Sequence, residues 1–199
     1  MSTDRMEKAT PETWMFPPMG GWTVEQVEDL DLPFDWELMD GAIVPRGHTV
    51  FWHDLVRDEL RDRLKGARTE THAVNVERCV QLDGRSAPKP DVVVFEKRGL
   101  GIDMRCTPAT HVKLVVEVVS DGSRLQDRVS KPALYAEAGL PFFWRVERGE
   151  DGIPVVHEFW LSRASGEYVP APEHPVHTGK LETDRPFPIT IDLASLVDF

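Results

Sequence analysis

The chain has 199 residues, of which 41% are hydrophobic and 29% are charged, a composition typical of a folded globular protein and unlike that of a disordered one. This length favours one domain with additions at its edges. No apolar run approaches the length of about 18 residues that spans a bilayer, so the sequence excludes a transmembrane helix. Because Met1–Thr10 is polar and lacks the apolar core of a secretion signal, we expect a cytoplasmic protein.

The charge balance is acidic overall but uneven along the chain. The 23 basic and 34 acidic residues give a net charge of −11, which argues against a general nucleic-acid-coating protein. Residues 1–82 hold 9 basic and 16 acidic groups (−7), and residues 132–199 hold 5 and 11 (−6). Residues 83–131 hold 9 and 7, a net charge of +2. We therefore expect any contact with phosphate to involve this middle segment.

The two cysteines, Cys79 and Cys106, are too few for a disulfide framework. In a cytoplasmic protein we interpret them as reduced thiols.

The N-terminal part of the chain predicts an arm, a short helix and a hairpin. Residues 1–20 are rich in Met and Pro without periodicity and are interpreted as a tail or loosely docked arm. Thr23 and Gln26 have the spacing of a capping box and predict a short helix. The weak alternation of Trp36–Val44 around Asp40-Gly41 predicts a β-hairpin.

The next segments predict the core of the fold. Apolar residues recur at helical spacing over Thr49–Lys65, which predicts a helix more clearly than any other segment of the chain does. Residues 73–82 alternate and predict a strand with one solvated face. Asp91–Phe95 and Val112–Val119 are short apolar runs rich in β-branched residues, typical of central strands buried on both faces.

The remaining segments complete a mixed α/β pattern. A second capping box, Ser123 with Gln126, predicts a helix that starts near Arg124, and Pro132 must kink or restart it. Later strands are predicted at residues 142–147, 155–161 and 167–169. This order predicts an α/β (α+β) domain over residues 21–199, with a central mixed β-sheet flanked by helices.

Two carboxylates in the apolar strands are candidates for a metal site. Glu117 lies inside Leu114–Val119, where an unpaired buried carboxylate would cost several kcal/mol or take up a proton. Asp91 begins the other apolar strand. If these strands are neighbours in the sheet, their carboxylates converge, and two converging carboxylates suit a hard cation such as Mg²⁺. The alternative is that each carboxylate caps a strand or pairs with an arginine.

Several segments, taken in order, resemble one family. Pro90-Asp91, followed after 25 residues by Glu117, resembles the PD-(D/E)xK nuclease motif. The wider pattern resembles the Uma-type family of restriction endonucleases, which implies a restriction-endonuclease-like fold. The matching segments are Glu37–Gly41, His53, Lys89–Val92, Val116–Ser120, Asp127, Lys131 and Tyr135–Trp144.

The resemblance also implies roles for particular residues. Asp91 and Glu117 would bind Mg²⁺ or Mn²⁺. The family motif carries a lysine two residues after the glutamate, but this chain has Val119 there. Lys131 is the candidate replacement, because it follows Asp127 by four residues and so shares its helix face. An ordinary solvated Asp127–Lys131 pair is the alternative. Glu37 is a candidate third carboxylate from the preceding hairpin; the alternative is that it is one of the many exposed acids.

The function that this pattern predicts is metal-dependent hydrolysis of DNA phosphodiester bonds, catalysed by Asp91, Glu117, Lys131 and Glu37. The overall acidity predicts weak or partner-assisted DNA binding, and cleavage of two strands favours a homodimer. The alternative is a catalytically silent module that keeps the nuclease fold for binding or assembly, which Val119 favours. His53 is a weaker candidate, since a lone histidine is more often structural.

Crowded carboxylates should raise one another's pKa when no metal is bound. On that basis we expect Asp91→Asn to melt at a higher temperature than the wild type in the absence of metal.

Overall fold

The computed structural model describes residues 7–198. Its helices are α1 (Val24–Val27), α2 (Phe51–Ala67) and α3 (Lys131–Glu137), with 3₁₀ turns at Ala109–His111 and Leu193–Leu196 and a π-helical turn at Gln126–Ser130. Its strands are β1 (Trp36–Met39), β2 (Ala42–Pro45), β3 (His72–Val76), β4 (Val80–Gln81), β5 (Val92–Glu96), β6 (Thr107–Pro108), β7 (Val112–Val118), β8 (Phe142–Arg148), β9 (Pro154–Leu161), β10 (Tyr168–Pro170), β11 (Val176–His177), β12 (Lys180–Thr183) and β13 (Ile189–Asp192).

A seven-stranded sheet forms the centre of the molecule. Its strand order is β10-β9-β8-β7-β5-β3, and β11 also pairs with β9. Strands β7 and β8 are parallel, with α3 in the connection between them, whereas the other pairs are antiparallel. The predicted central mixed sheet flanked by helices is confirmed.

Helix α2 covers one face of this sheet. Its residues Val56, Leu60 and Leu64 are fully buried, in one cluster with Val92 and Val94 of β5. Their i, i+4, i+8 spacing places them on one stripe of the helix. The predicted helix over residues 49–65 is therefore confirmed, with its observed start and end two residues later.

Helix α3 covers the opposite face. Tyr135 is fully buried there, in a second cluster that contains Val93 of β5 and Val115 of β7. Because side chains alternate across a strand, Glu117 lies on the same face of β7 as Val115. The sheet thus directs this glutamate towards α3.

The predicted hairpin is confirmed and brings a third carboxylate to the sheet. Asp40 and Gly41 both have positive φ (46° and 77°), as a type I′ turn requires. An antiparallel bridge joins Leu38 to Ala87 and attaches the hairpin to the segment that precedes β5. Glu37, the neighbour of Leu38, accepts a hydrogen bond from the backbone N–H of Lys89 (2.9 Å).

The predicted strand over residues 73–82 is divided into two. Glu77 has a φ of 49°, a left-handed conformation that breaks the strand after β3. The chain then leaves the sheet, and β4 pairs in parallel with β6. In the sequence, Arg78 is the one exception to the alternation of residues 73–82, and it directly follows this break.

The two cysteines form a disulfide, so their interpretation as reduced thiols is wrong. Strands β4 and β6 align Val80 with Thr107, and the residues that precede them, Cys79 and Cys106, lie side by side with Cα atoms 4.6 Å apart. Two short strands separated by 27 residues gave no signal of this pairing in the sequence.

The predicted second capping box does not form. The Ser123 hydroxyl donates to Asp127 instead of accepting from the backbone of Gln126. Helical structure begins at residue 124, widens into the π-helical turn and continues as α3, with Pro132 in the first turn of α3. The predicted kink or restart at this proline takes the form of a change from π-helical to α-helical geometry within continuous helical backbone.

Of the predicted arm, residues 1–6 lie outside the described residues, and residues 7–20 lie against α1 and the start of the domain. The backbone N–H of Ala9 donates to the carbonyl of Gln26, and the Trp22 indole donates to the carbonyl of Trp14. The Thr23–Gln26 capping box is present as predicted. Over residues 7–198, the chain contains no helix with the length and apolar character needed to cross a bilayer.

Candidate active site

The two predicted metal ligands come from adjacent strands. In the antiparallel pairing of β5 with β7, Val92 is opposite Val116, and continuing this register by one residue places Asp91 opposite Glu117. Both side chains are buried, with relative exposures of 3% and 1%. They line a common cavity of about 90 Å³ together with Glu37, Asp127 and Lys131, which we call the carboxylate cavity.

Asp91 is held by three donors. One oxygen accepts from the backbone N–H of Val118 (2.7 Å) and faces Nε2 of His53 (3.2 Å), and the other lies 3.4 Å from the guanidinium of Arg46. Burial favours the neutral acid, but His53, the charge of Lys131 and the Val118 N–H together hold the pKa of the Asp91 carboxyl below its usual range. Asp91 is therefore ionised at neutral pH.

Glu117 has the opposite electrostatic character. The Tyr135 hydroxyl donates to one of its oxygens, and Nζ of Lys131 lies 3.2 Å from the other. Burial raises the pKa of the Glu117 carboxyl well above its usual range; Lys131 opposes this shift, and the negative charges of Asp127 and Asp91 add to it. The expectation that crowding raises the pKa of every carboxylate holds for Glu117 and is wrong for Asp91.

Lys131 lies among three carboxylates. Its Nζ is 3.2 Å from Glu117, 3.3 Å from Glu37 and 3.5 Å from Asp127, and the side chain is only 6% exposed. Burial alone would lower the pKa of this ammonium group, but the carboxylates raise it, so the lysine stays charged. The alternative interpretation of a solvated surface pair with Asp127 is wrong, because both side chains are buried.

Val119, at the position of the missing lysine, still follows the sheet. Its N–H donates to the carbonyl of Val146 (2.8 Å), which continues the pairing of β7 with β8. The ammonium group that this strand lacks is instead supplied to Glu117 by α3, from Lys131.

Glu37 and His53 also reach the site. Glu37, only 4% exposed, is fixed by the Lys89 N–H and by Lys131. His53 lies in the first turn of α2 and is 3% exposed, and its Nδ1 faces Asp54 (3.3 Å). Burial would lower the pKa of His53, but its bonds to Asp91 and Asp54 raise it above the usual value. All the predicted site residues are thus brought together.

Sequence reasoning missed one residue of the site and gave two others no role of their own. Arg46 follows the hairpin and lies 3.4 Å from Asp91, a contact for which the sequence offered no signal. Tyr135 was part of the family resemblance without a role, and it binds Glu117. Asp127 was used only to place Lys131, yet it is 2% exposed, and within the described part of the chain its Oδ1 is approached by Lys131 Nζ at 3.5 Å without a shorter hydrogen bond.

The donor set fits a divalent cation that keeps part of its water shell. Among residues 7–198, no three His, Cys, Asp or Glu side chains are grouped as a preformed metal site. Four buried carboxylates nevertheless line the cavity, and only Lys131 and Arg46 are permanent cations beside them. Carboxylate oxygens are the ligands that Mg²⁺ prefers, and it commonly binds through one or two of them with several waters. Asp91 and Glu117 supply two such carboxylates, although both oxygens of Glu117 already have donors in Tyr135 and Lys131.

The comparisons with known proteins concern the family and the fold of the chain. The model of the Uma2 family, described as "Putative restriction endonuclease", matches residues 24–186. None of the curated proteins matches the chain. A crystal structure from Anabaena variabilis, described as a "putative nuclease belonging to DUF820", is similar with a TM-score of 0.57 and 14% identity, covering 71% of this chain and 80% of that one. This likeness concerns the fold, and it confirms the predicted restriction-endonuclease-like architecture.

Proposed function

The chain belongs to the Uma2 family, and from that premise we propose that it is a metal-dependent endonuclease that hydrolyses DNA phosphodiester bonds. The observation that carries the proposal is the pair of buried carboxylates, Asp91 and Glu117, opposite each other on adjacent strands with the ammonium group of Lys131 beside them. A buried arrangement of this kind is costly to a fold, which argues for a role beyond stability.

In this proposal Asp91 and Glu117 hold Mg²⁺ or Mn²⁺. When bound, such an ion lowers the pKa of a water molecule and stabilises the charge that develops on the phosphate. Asp91 is already ionised and is oriented by Val118 and His53, so it offers a ready oxygen. Arg46 and His53 are positioning residues, because they act through Asp91.

Lys131 supplies the second part of the chemistry. Because its carboxylate neighbours keep it charged, its N–H groups can donate to a phosphate oxygen or orient the attacking water. Glu37, which contacts both Lys131 and the Lys89 N–H, fixes the position of the ammonium group. The chain thus supplies oxygen ligands from the sheet and a fixed cation from α3.

A plasmid-nicking assay with Mg²⁺ or Mn²⁺ tests the proposal. Asp91→Ala and Glu117→Gln should each abolish metal-dependent nicking while the circular dichroism spectrum keeps its native shape. Glu158→Gln is the matched control, since Glu158 is a buried glutamate of the same sheet that lines a different cavity. Full activity in either site variant, or equal loss in the control, would refute the assignment.

A second candidate function is a silent nuclease-fold module for binding or assembly. Both Glu117 oxygens are already engaged, one by Tyr135 and one by Lys131, and Val119 replaces the motif lysine. The silent module predicts no metal-dependent nicking by the wild type at any metal concentration, together with unimpaired folding. The same assay therefore separates the two functions.

A further inference from the structure

A second, larger cavity opens beside the carboxylate cavity. It has a volume of about 360 Å³, and His48, His53, Ser120 and Gly122 line both spaces, so the two are direct neighbours. The carboxylate cavity, at about 90 Å³, is far below the roughly 300–1,000 Å³ of sites that enclose a small ligand. It can receive a phosphate oxygen and water, whereas the larger space has room for the nucleotide that carries the phosphate.

The larger cavity is lined by three arginines, Arg124, Arg128 and Arg148, and we call it the arginine groove. Two carboxylates also line it, Asp121 and Glu147. In a chain whose net charge is −11, a groove with more cations than carboxylates has the sign opposite to that of the whole protein. Such local reversal attracts polyanions to one place on an otherwise repelling surface.

Two of the three arginines are paired within the groove, Arg124 with Asp121 (2.7 Å) and Arg128 with Glu147, whereas among the described residues no carboxylate pairs with Arg148. Glu147 accepts from Arg128 through both oxygens and also pairs with Arg145, so one carboxylate serves two guanidinium groups. Arg148 is exposed and lies over the ring of Trp52, 5.5 Å from the ring centre. The Trp52 indole donates to the carbonyl of Gly152, which fixes the ring under this guanidinium.

The helix that follows β7 connects the groove to the chemistry. Asp127 and Lys131 are buried and point to the carboxylate cavity, whereas Arg124 and Arg128 are exposed and line the groove. Each pair is spaced by four residues, so the two pairs form neighbouring stripes of one helix. A nucleic-acid backbone bound by the exposed pair, Arg124 and Arg128, would therefore pass close to the buried pair, Asp127 and Lys131.

We infer that the arginine groove is the DNA-binding track of this protein, in which Arg124, Arg128 and Arg148 bind the phosphates that flank the cleaved bond. This inference rests on the proposed nuclease function and adds to it the place where the substrate lies. Arg148 also presents a flat cation on a fixed aromatic ring, a geometry that suits bidentate binding of a phosphate. Contacts of this type position DNA without reading its sequence.

The test is the DNA affinity of the whole protein, measured by fluorescence anisotropy with a labelled duplex of about two helical turns, in EDTA and in Ca²⁺. The double variant Arg128→Gln/Arg148→Gln should weaken binding on the order of tenfold. It should also reduce the slope of log K against log salt by about 2, one for each lost phosphate contact. The control is Arg98→Gln/Arg163→Gln, which removes the same charge from two exposed arginines outside the groove.

If DNA affinity falls equally in both double variants, the groove is not the DNA-binding site and the loss of net positive charge is the cause. Tighter binding of an RNA duplex of the same sequence would overturn the assignment to DNA. Groove-dependent binding without cleavage by the wild type in Mg²⁺ or Mn²⁺ would refute the hydrolytic function while supporting the groove. Cleavage by the wild type with no effect of the groove variant on affinity would refute the groove while leaving the function intact.

Discussion

Removal of the buried lysine tests the electrostatics of the site most directly. In Lys131→Ala, Glu37, Glu117 and Asp127 lose the ammonium group that lies within 3.5 Å of each of them. Removing one partner of a buried ion pair destabilises proteins by about 3–5 kcal/mol, because the remaining charge is left without compensation. For a domain of this size that corresponds to a fall in melting temperature of roughly 6–20 °C.

Divalent metal should reverse part of this loss. With the ammonium group gone, a cation that binds the folded state stabilises it by about 2.7 kcal/mol at a hundredfold excess over Kd. We therefore expect Mn²⁺ to raise the melting temperature of Lys131→Ala by more than it raises that of the wild type. The measurement is a set of thermal melts of both proteins in EDTA and in excess Mn²⁺.

Lys113→Ala is the matched control for this experiment. Lys113 is one-third exposed and lies 3.5 Å from Glu96 at the surface, and such pairs contribute about 0–1 kcal/mol. Its melting temperature should change little and should respond to Mn²⁺ as the wild type does. If Lys131→Ala and Lys113→Ala have the same melting temperature in EDTA, the ammonium group of Lys131 does not stabilise the fold through the buried carboxylates. If Mn²⁺ shifts all three proteins equally, the carboxylates do not form the cation site.

Three further outcomes follow from the contacts of the fold. Cys79→Ser/Cys106→Ser should cost about 3–4 kcal/mol, since the disulfide closes a loop between residues 27 apart; an unchanged wild-type melting temperature in dithiothreitol would contradict this. Asp91→Asn should lower the free energy of unfolding in EDTA by about 1–3 kcal/mol, and with it the melting temperature, because a carboxylate fixed by charged donors is lost. A melting temperature above that of the wild type would instead support simple repulsion between the carboxylates. Burial opposes ionisation of Glu158, but hydrogen bonds, of which that from His177 is the strongest, lower the pKa of its carboxyl below the ordinary value of 4.5. The ionised carboxylate therefore stabilises the fold above pH 4.5, and this contribution is lost as the pH falls through the folded pKa. In melts at acidic pH, Glu158→Gln should lack this loss, and parallel curves for the variant and the wild type would count against the prediction.

The sequence predicted the parts of the site that lie on regular elements. Glu117 stands out because it interrupts an apolar strand, Asp91 because it begins one, and Lys131 follows from helical spacing. Arg46 could not be found in this way, because it reaches Asp91 from the end of a hairpin whose orientation depends on the bridge between Leu38 and Ala87. Contacts that depend on how separate elements pack leave no local pattern.

The sign of each carboxylate's pKa shift was equally out of reach of the sequence. Asp91 and Glu117 are both buried carboxylic acids, yet the pKa of Asp91 is lowered and the pKa of Glu117 is raised. The difference comes from His53 and the Val118 N–H, which favour the ionised form of Asp91. Charge counting predicts repulsion, whereas hydrogen-bond donors that come from other elements decide the outcome.

The positive middle segment of the chain acquires a structural meaning from the helix that follows β7. Residues 83–131, with a net charge of +2, end on this helix, where Lys131 points inward and Arg128 points into the groove. The π-helical turn at Gln126–Ser130 contains one residue of each stripe, Asp127 and Arg128, and such turns are frequent at functional sites. One short stretch of chain thus provides both the cation that the buried carboxylates need and the cations that the proposed substrate needs. A change in the register of this turn would therefore displace Arg128 from the groove and Lys131 from the carboxylates at the same time. With Lys131 on this helix rather than on β7, the proposed DNA binding and the proposed hydrolysis depend on the same short stretch of chain.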